Sequence, residues 1–292
     1  PCRQPELRRG LAPGGPLTDV NGPRASLGVD SALMPSFRKA LVTGASSGLG
    51  RAICQELSAR GAEVIACARR GALLEALVRD LEAHGGRARA VELDVTSSTA
   101  VREAVLGADE DGPLDLVLAG AGVAEHSIPG ERRADRTHQL VDVNLAGAVS
   151  TIEAGIEVMI CRGGTVGVLS SLAGTRGLPG AAAYCASKAA VSTYVEARQV
   201  ELSGHPVRLV DVQPGFVRTP MTAPNRFPMP FLMDVMAAAR RTVDGLEAGH
   251  AVVRYPRRLA WPLRAIASSA PRELWRRLLA RKGPDEESPG RG

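Results

Sequence analysis

Tyr184 and Lys188 stand four residues apart in a stretch with helical character, so the phenol and the ammonium face the same side of one helix. A free tyrosine titrates near pH ~10 and is a poor proton donor or acceptor at neutral pH. A nearby cation favours the phenolate and lowers the pKa of the tyrosine toward the working range. Because the chain contains only three tyrosines and three lysines, this pair is an informative signal of acid–base chemistry.

A serine completes the group of residues that could do chemistry. Ser171 stands thirteen residues before Tyr184 and follows an apolar segment with strand character. A hydroxyl at the carboxyl end of a parallel strand points into the crevice where ligands bind in such sheets. A buried serine that only satisfies backbone groups is the alternative, and the position alone does not decide between the two.

A glycine-rich turn, TGASSGLG at residues 43–50, joins the first apolar segment to a helical one. Glycines at such a turn permit a tight bend and a close approach of the backbone to a pyrophosphate, and the helix N-terminus offers N–H groups and a positive dipole end. The context between strand and helix predicts a dinucleotide site rather than a mere turn. The predicted contacts are Gly44, Ser46, Ser47, Gly48, Leu49 and Gly50.

The choice of dinucleotide is indicated by the end of the second apolar segment. A site for NAD normally places a carboxylate there to accept a hydrogen bond from the ribose 2′-OH. This chain reads Cys-Ala-Arg-Arg at residues 67–70, with no acid. An arginine can pair with a 2′-phosphate, so the sequence predicts NADP(H) in preference to NAD(H), with Arg69 as the main contact. A solvated loop arginine is the alternative.

Hydrophobic patterning shows which elements must position these residues. Strand candidates are residues 39–43, 63–68, 88–93, 114–119, 165–170, 208–213 and 251–254, with helical patterns between them, including 51–60, 73–83, 136–159 and 183–202. This alternation predicts an α/β fold of the doubly wound Rossmann type, in which a parallel sheet of about seven strands carries helices on both faces. We assign residues 36–256 to this single catalytic domain.

The two ends of the chain differ from this pattern. Residues 1–35 are rich in Pro, Gly and Arg and are predicted to be a disordered extension without the apolar core of a secretory signal. Residues 257–282 mix apolar residues with many arginines and one acid, Glu273. This basic amphipathic segment either packs on the body as a terminal helix or makes weak contact with a membrane surface. Residues 283–292 are predicted to be a disordered tail.

Composition excludes several classes of protein. The net charge of +5 indicates either an arginine-rich solvated surface or an acidic partner. Aromatic residues make up 3% of the chain, too few for base-stacking platforms, so binding to nucleic acid is not expected. Cysteines and histidines show no metal-ligand spacing, which predicts no metal site. Reduced, mostly buried thiols and the lack of a long apolar run predict a cytoplasmic location, with peripheral membrane contact as the alternative.

Taken together, the glycine-rich turn, Asn144, Ser171 and Tyr184-x-x-x-Lys188 resemble the short-chain dehydrogenase/reductase family, in order and spacing, over roughly residues 39–221. The resemblance implies that Tyr184 is the acid/base that protonates a carbonyl oxygen during reduction. It implies that Lys188 binds the nicotinamide ribose hydroxyls and lowers the tyrosine pKa. Ser171 would orient the substrate carbonyl, and Asn144 would hold a water in the proton relay.

The resemblance extends the cofactor site beyond the glycine-rich turn. It implies that Asp94 and Val95 contact the adenine and that Ala121 and Gly122 are the small residues beside the cofactor. It also implies that a segment borders the nicotinamide, with contacts from Pro214, Gly215, Val217 and Thr219. The chain departs from the family after the fourth strand, where Ala119-Gly120 replaces two asparagines. All four catalytic positions match, so activity is still expected.

The substrate is indicated only by residues 220–233, which are rich in Met, Phe and Pro. They predict an adaptable apolar lid and a hydrophobic small-molecule carbonyl or alcohol as substrate, unless they simply pack a helix on the sheet. The leading function is an NADP(H)-dependent oxidoreductase that interconverts a carbonyl and an alcohol by hydride transfer. The alternatives are a cofactor-binding regulator or scaffold with little turnover, and a membrane-peripheral interaction protein acting through residues 257–282. The resemblance also implies a homodimer or homotetramer.

Overall fold

The computed structural model describes residues 37–125, 134–225 and 227–280. Within these residues, seven strands form one parallel sheet in the order β3-β2-β1-β4-β5-β6-β7. The strands are β1 (Lys39–Thr43), β2 (Glu63–Ala68), β3 (Arg87–Glu92), β4 (Leu116–Ala119), β5 (Gly164–Leu169), β6 (Val207–Pro214) and β7 (Val252–Tyr255). The order reverses between β1 and β4, which is the point where open α/β sheets bind ligands. The predicted doubly wound parallel fold is confirmed.

Helices connect the strands and cover both faces of the sheet. They are α1 (Gly48–Ala59), α2 (Gly71–Ala83), α3 (Ser98–Glu110), α4 (Ala134–Val141), α5 (Gly147–Met159), α6 (Ala182–Glu201), α7 (Val235–Glu247), α8 (Arg257–Ser269) and α9 (Arg272–Ala280). Helices α1, α2 and α7 bury their apolar sides in one core, and α3, α5 and α6 bury theirs in a second. The central strands are buried on both faces, as parallel strands between two helix layers must be.

Side-chain alternation along β1 shows how one strand serves both cores. Ala40 and Val42 pack with the α1 side, whereas Leu41 packs with the α3 side, and all three are fully buried. Successive strand residues point to opposite faces, so a continuous apolar run is needed to fill two cores. Alanine, valine and leucine supply most of this packing because the chain is poor in aromatic residues.

The helix predicted at residues 136–159 is interrupted. Helix α4 ends at Val141, a wider π-helical turn spans Asp142–Ala146, and α5 resumes at Gly147. A Cβ atom at Gly147 would lie 2.7 Å from the Val95 side chain, so this helix passes very close to the loop after β3. Single π turns inside helices occur frequently at functional sites, and this one carries Asn144.

The described residues include part of the basic C-terminal segment and most of the cysteines. The predicted extension at residues 1–35 and the tail at 283–292 lie outside the described residues, whereas α8 and α9 occupy most of the basic segment. Cys54, Cys67 and Cys185 are buried free thiols. Cys161 is exposed in the turn before β5. No helix in the described part of the chain is long and apolar enough to cross a membrane.

Candidate active site

A cleft of about 450 Å³ opens at the carboxyl ends of β1, β2, β4, β5 and β6. Most residues predicted from the sequence to form the site line this cleft. They are Gly44, Ser46, Ser47, Gly48, Leu49, Gly50, Arg69, Val95, Ala121, Gly122, Ser171, Tyr184, Lys188, Pro214, Gly215, Val217 and Thr219. The tertiary structure therefore brings together segments that are more than 170 residues apart in the chain. Asp94 and Asn144 are not part of its lining.

The glycine-rich turn has a shape that only glycine allows at two positions. Gly44 has a φ of +75°, and a Cβ atom there would lie 2.6 Å from the Gly120 carbonyl oxygen. A Cβ at Gly50 would lie 2.4 Å from the Gly44 carbonyl oxygen. Both contacts are backbone contacts that cannot be relieved by a side-chain rotation. The turn therefore lies in close contact with the segment that follows β4 on one side and with its own helix on the other.

The N-terminus of α1 is open toward the cleft. Helix α3 is capped by the hydroxyl of Ser97, but the Ser47 side chain at the N-cap of α1 makes no capping hydrogen bond to its helix. The first turn of α1 contains no acidic residue, and Gly48, Leu49 and Gly50 line the cleft. Uncapped N–H groups and the positive end of the helix dipole form an anion-binding position.

The hydroxyl of Ser47 is instead bound by Arg70, which is not among the cofactor contacts predicted from the sequence. Arg70 Nη2 donates to Ser46 Oγ and to Ser47 Oγ, each at 2.8 Å, and Arg70 Nε lies 3.2 Å from Ser46 Oγ. Arg70 lines the cleft beside the open helix end, as does Arg69. Both belong to the dipeptide that follows β2. The sequence therefore predicts an arginine at this position, but it does not show which of the two contacts the glycine-rich turn.

Arg69 lies on the Asp94 side of the same end of the cleft. The pKa of Asp94 is lowered, chiefly by the hydrogen bond from the Thr96 N–H and to a smaller degree by the charge of Arg69. Asp94 Oδ1 accepts from Thr96 N at 3.0 Å and from Thr96 Oγ1 at 2.9 Å. The carboxylate thus closes its own turn, which explains why Val95, and not Asp94, lines the cleft.

At the opposite end of the cleft, Tyr184 and Lys188 lie on one face of α6. Lys188 Nζ lies 5.9 Å from the centre of the Tyr184 ring and donates to the Leu169 carbonyl oxygen at 2.7 Å. Burial raises the pKa of the Tyr184 hydroxyl, while a hydrogen bond with Ser171 lowers it. The family resemblance implied that Lys188 lowers this pKa. The net shift in the structure is upward, because desolvation of the phenolate outweighs the hydrogen bond with Ser171.

Lys188 is itself perturbed by its surroundings. The ammonium is buried, and burial lowers its pKa from 10.5 to about 8, while the charge of Asp211 acts in the opposite direction. Asp211 is buried beneath the site, where its carboxylate accepts hydrogen bonds from Ser170 Oγ and from Gln213 Nε2. The Asp211 carboxylate on β6 therefore offsets part of the desolvation of the charged lysine, and desolvation remains the larger effect.

Ser171 follows β5 and faces the cleft with its hydroxyl held by backbone. Its Oγ accepts from Ala173 N at 3.1 Å and lies 3.4 Å from the Pro214 carbonyl oxygen. Ala173 belongs to a single 3-10 turn at Leu172–Thr175, for which Ser171 is the N-cap. The orientation of the Ser171 hydroxyl consequently depends on where this turn lies.

Asn144 connects the π turn to the loop after β4. Its Oδ1 accepts from Val123 N at 2.8 Å, and its Nδ2 donates to Val123 O at 2.9 Å and to Ser187 Oγ at 3.2 Å. A Cβ at Gly122 would lie 3.4 Å from both Asn144 Oδ1 and Lys188 Nζ. The side chain is fully buried behind the cleft wall, which positions this loop beside Lys188.

The departure at Ala119-Gly120 has a structural counterpart in Thr43. Its Oγ1 donates to Leu118 O at 3.3 Å and accepts from Gly120 N at 3.1 Å and from Ala121 N at 3.4 Å. A Cβ at position 120 would lie 2.6 Å from the Thr43 carbonyl oxygen, so this close approach requires glycine. A threonine hydroxyl on β1 thus supports the backbone where the family carries asparagine side chains.

Comparison with known proteins agrees with this geometry. A family model described as short chain dehydrogenase matches residues 38–228. An uncharacterized oxidoreductase of Myxococcus xanthus is 45% identical over 243 residues, which are 82% of this chain and 95% of that protein. The L-xylulose reductase of Bos taurus is 35% identical over 186 residues, or 63% of this chain and 73% of that protein. An alcohol dehydrogenase from Thermococcus sibiricus, solved with 5-hydroxy-NADP, aligns with a TM-score of 0.67 at 26% identity over 74% of this chain and 94% of that chain.

The chain therefore belongs to the short-chain dehydrogenase family. It is an oxidoreductase of a family that interconverts CH–OH and C=O groups of small molecules, on a fold that binds NAD or NADP. The cleft fits such a dinucleotide, because an open helix end flanked by arginines lies at one end and buried hydroxyl and ammonium groups lie at the other.

Proposed function

We propose that this protein is an NADP(H)-dependent oxidoreductase that reduces a carbonyl, or oxidises the corresponding alcohol, with Tyr184 as the acid/base. The observation that carries the proposal is the single cleft that joins the open N-terminus of α1 to the group of Tyr184, Lys188 and Ser171. The residues at that end would hold a nicotinamide, which would supply the hydride for the carbonyl carbon or accept it from the alcohol. The protein must supply the proton, the orientation and the exclusion of water.

Preference for NADP(H) rests on the two arginines after β2. Arg70 is held by Ser46 and Ser47 hydroxyls at the open helix end, and Arg69 lies close enough to lower the pKa of Asp94. A guanidinium that is already positioned loses little conformational freedom when it binds a phosphate, and its hydrogen bonds to an anion are charge-assisted. We therefore assign the 2′-phosphate to Arg70 and Arg69 together, rather than to Arg69 alone.

The proton chemistry follows from the environment of Tyr184. Because burial raises its pKa, the hydroxyl is protonated at neutral pH and is ready to donate to a carbonyl oxygen. Ser171, which hydrogen-bonds the same hydroxyl, orients that oxygen. Lys188 favours the phenolate that remains after proton transfer, and it holds ribose hydroxyls of the nucleotide. The protonated hydroxyl can donate to a carbonyl oxygen during reduction, and the phenolate can accept the proton of an alcohol during oxidation.

The substrate side indicates an apolar carbonyl compound. Pro220, Met221 and Thr222 line the cleft, and Phe227 and Phe231 beyond them are about half exposed. The Phe216 and Phe227 rings meet edge to face with their centres 6.0 Å apart. Exposed aromatic and methionine side chains next to a cleft suit a ligand that covers apolar surface.

The deciding assay follows NADPH consumption with a panel of carbonyls from small sugars to apolar ketones. Wild type is compared with Tyr184→Phe and with Tyr194→Phe, a matched change on the same helix at a tyrosine that hydrogen-bonds Glu153 at 2.6 Å outside the cleft. Turnover should disappear in Tyr184→Phe alone. Wild type that binds NADPH but reduces no carbonyl in the panel would favour a cofactor-binding regulator, and undiminished turnover in Tyr184→Phe would overturn the mechanism.

A second candidate role is contact with an anionic membrane surface through the outer side of α8. Trp261 is 72% exposed there, and Arg257, Arg258 and Arg264 are exposed on the same helix, which contains no acidic residue. Tryptophan favours the boundary between water and lipid, and each basic residue near an anionic surface adds about 1 kcal/mol. Such contact would bring the cleft near apolar substrates.

Vesicle flotation tests this role with the full chain, phosphatidylcholine vesicles with and without phosphatidylserine, and low or high salt. Binding to the anionic vesicles should fall about thirtyfold when Arg257 and Arg258 are both changed to Gln, at roughly fivefold per charge. The same change at Arg240 and Arg241, an exposed pair on α7, is the control. Equal losses in both variants, or no binding to anionic vesicles, would eliminate the role.

A further inference from the structure

The short segment between Ser171 and Tyr184 lies between α6 and the C-terminal helices α8 and α9. It begins with the 3-10 turn Leu172–Thr175 directly after Ser171 and leads to α6, which carries Tyr184. A Cβ at Gly174 would lie 2.8 Å from the backbone carbon of Lys188, so the turn packs on α6 at the level of the lysine. Any displacement of this turn would move the hydroxyl of Ser171, which accepts from Ala173 N.

The other side of this segment is held by one arginine. Arg176 Nη1 donates to the carbonyl oxygens of Ala267 at 2.9 Å and Ala270 at 2.8 Å, at the C-terminal end of α8. These carbonyls have no partner within their own helix and carry the negative end of its dipole, which a cation stabilises. The guanidinium carbon of Arg176 also lies 5.2 Å from the ring centre of Trp275 on α9.

Two further contacts join the C-terminal helices to the cleft. Trp275 Nε1 donates to the carbonyl oxygen of Gly177 at 3.0 Å, one residue beyond Arg176. At the other end of α8, a Cβ at the cleft-lining Gly215 would lie 3.0 Å from Leu259 Cδ2 and 3.4 Å from Leu172 Cδ1. The first turn of α8, the 3-10 turn and the nicotinamide side of the cleft are therefore in direct contact.

We propose that α8 and α9 support the substrate end of the cleft from behind, and that Arg176 is the positioning residue that holds the Ser171–Tyr184 segment against them. The proposal rests on the proposed function for its kinetic consequences. Arg176 reaches neither the nucleotide end nor the reacting atoms, so it acts through the turn that orients Ser171. The C-terminal helices then contribute to orienting the substrate carbonyl, through the turn that positions Ser171.

The kinetic test compares wild type with Arg176→Ala, Arg176→Lys and Arg277→Ala. Arg277 is an exposed arginine on α9 that pairs with Glu273 at 3.2 Å. Its removal changes the charge of the C-terminal helices but leaves the contacts of Arg176 with α8 and α9, here called the clamp, in place. Arg176→Ala should lower kcat/KM for the carbonyl roughly tenfold to a hundredfold, since small displacements of an orienting group have effects of that size. The Kd for NADPH should change less than about twofold. Lysine retains the charge and the donors, and should recover part of the loss.

A second measurement requires no turnover. Hydrogen exchange of backbone amides should become at least about tenfold faster at residues 172–177 and 267–275 in Arg176→Ala, while residues 44–50 keep their wild-type rates. Unchanged exchange in those two segments would overturn the clamp whether or not the protein is active. Unchanged kcat/KM in an active Arg176→Ala protein, or an equal loss of NADPH affinity, would overturn its positioning role. Absence of wild-type turnover would count against the proposed function. The exchange rates would still test whether Arg176 holds the two segments together.

Discussion

Replacing the buried Lys188 with Met should make the stability difference between variant and wild type strongly dependent on pH. Folding lowers the pKa of Lys188 from 10.5 to about 8, chiefly through burial. Below pH about 8 both folded and unfolded chains carry the charge, and the folded chain bears the full cost of its desolvation. Between pH about 8 and 10.5 the folded chain has released the proton while the unfolded chain still binds it, so wild-type stability rises with pH.

The magnitude follows from the shift. Each pKa unit corresponds to about 1.4 kcal/mol, so a shift from 10.5 to about 8 corresponds to roughly 3 kcal/mol for a group that is almost fully buried. Met has a similar length and never carries charge. Wild type should therefore gain about 3 kcal/mol in free energy of unfolding relative to Lys188→Met between pH 7 and pH 10.5. Loss of the hydrogen bond to Leu169 adds an offset of about 1–3 kcal/mol, most of which does not vary with pH.

Urea unfolding of both proteins at half-unit steps of pH, followed by circular dichroism, measures this difference directly. Other groups that titrate in this range are present in both proteins and cancel in the comparison. A difference that stays constant within about 0.5 kcal/mol from pH 7 to 10.5 would refute the reasoning, because it would mean that the lysine pKa is not lowered by folding. A difference that changes in the opposite direction would mean that Asp211 stabilises the charge by more than burial penalises it.

The site also supports three other predictions. Tyr184→Phe should reduce turnover by at least about a hundredfold with NADPH affinity retained, as measured by single-turnover absorbance and by titration calorimetry; weakened NADPH binding of the same size would point to a packing defect. Arg70→Ala should raise the Kd for NADPH by roughly tenfold to a hundredfold and leave that for NADH within about threefold, because it removes charge-assisted hydrogen bonds only to the extra phosphate. Equal changes for both nucleotides would contradict this assignment. Gly50→Ala should cost about 1–3 kcal/mol in urea unfolding, since the new Cβ would lie 2.4 Å from the Gly44 carbonyl oxygen, whereas Gly107→Ala on the exposed side of α3, with no atom within 4 Å of a Cβ, should be neutral or stabilising.

Local patterns identified the sheet well, because strand and helix periodicities are properties of neighbouring residues. The predicted strands at 39–43 and 63–68 have the observed bounds, and the other five differ by one or two residues at their ends. The prediction of one continuous helix over 136–159 was wrong, because a π turn separates α4 from α5. Its π turn carries Asn144, whose side chain exchanges two hydrogen bonds with the backbone of Val123, a contact that no local pattern contains.

By itself, the sequence determined the family, the parallel fold and the pairing of Tyr184 with Lys188, since each depends on spacing along one element or one turn. Only the tertiary structure distinguished Arg70 from Arg69, because the hydroxyls that hold Arg70 come from another loop. It likewise decided the direction of the Tyr184 pKa, since desolvation depends on everything packed around the ring. The contact of Arg176 with α8 spans more than 90 residues and arises only when the C-terminal helices fold back onto the site.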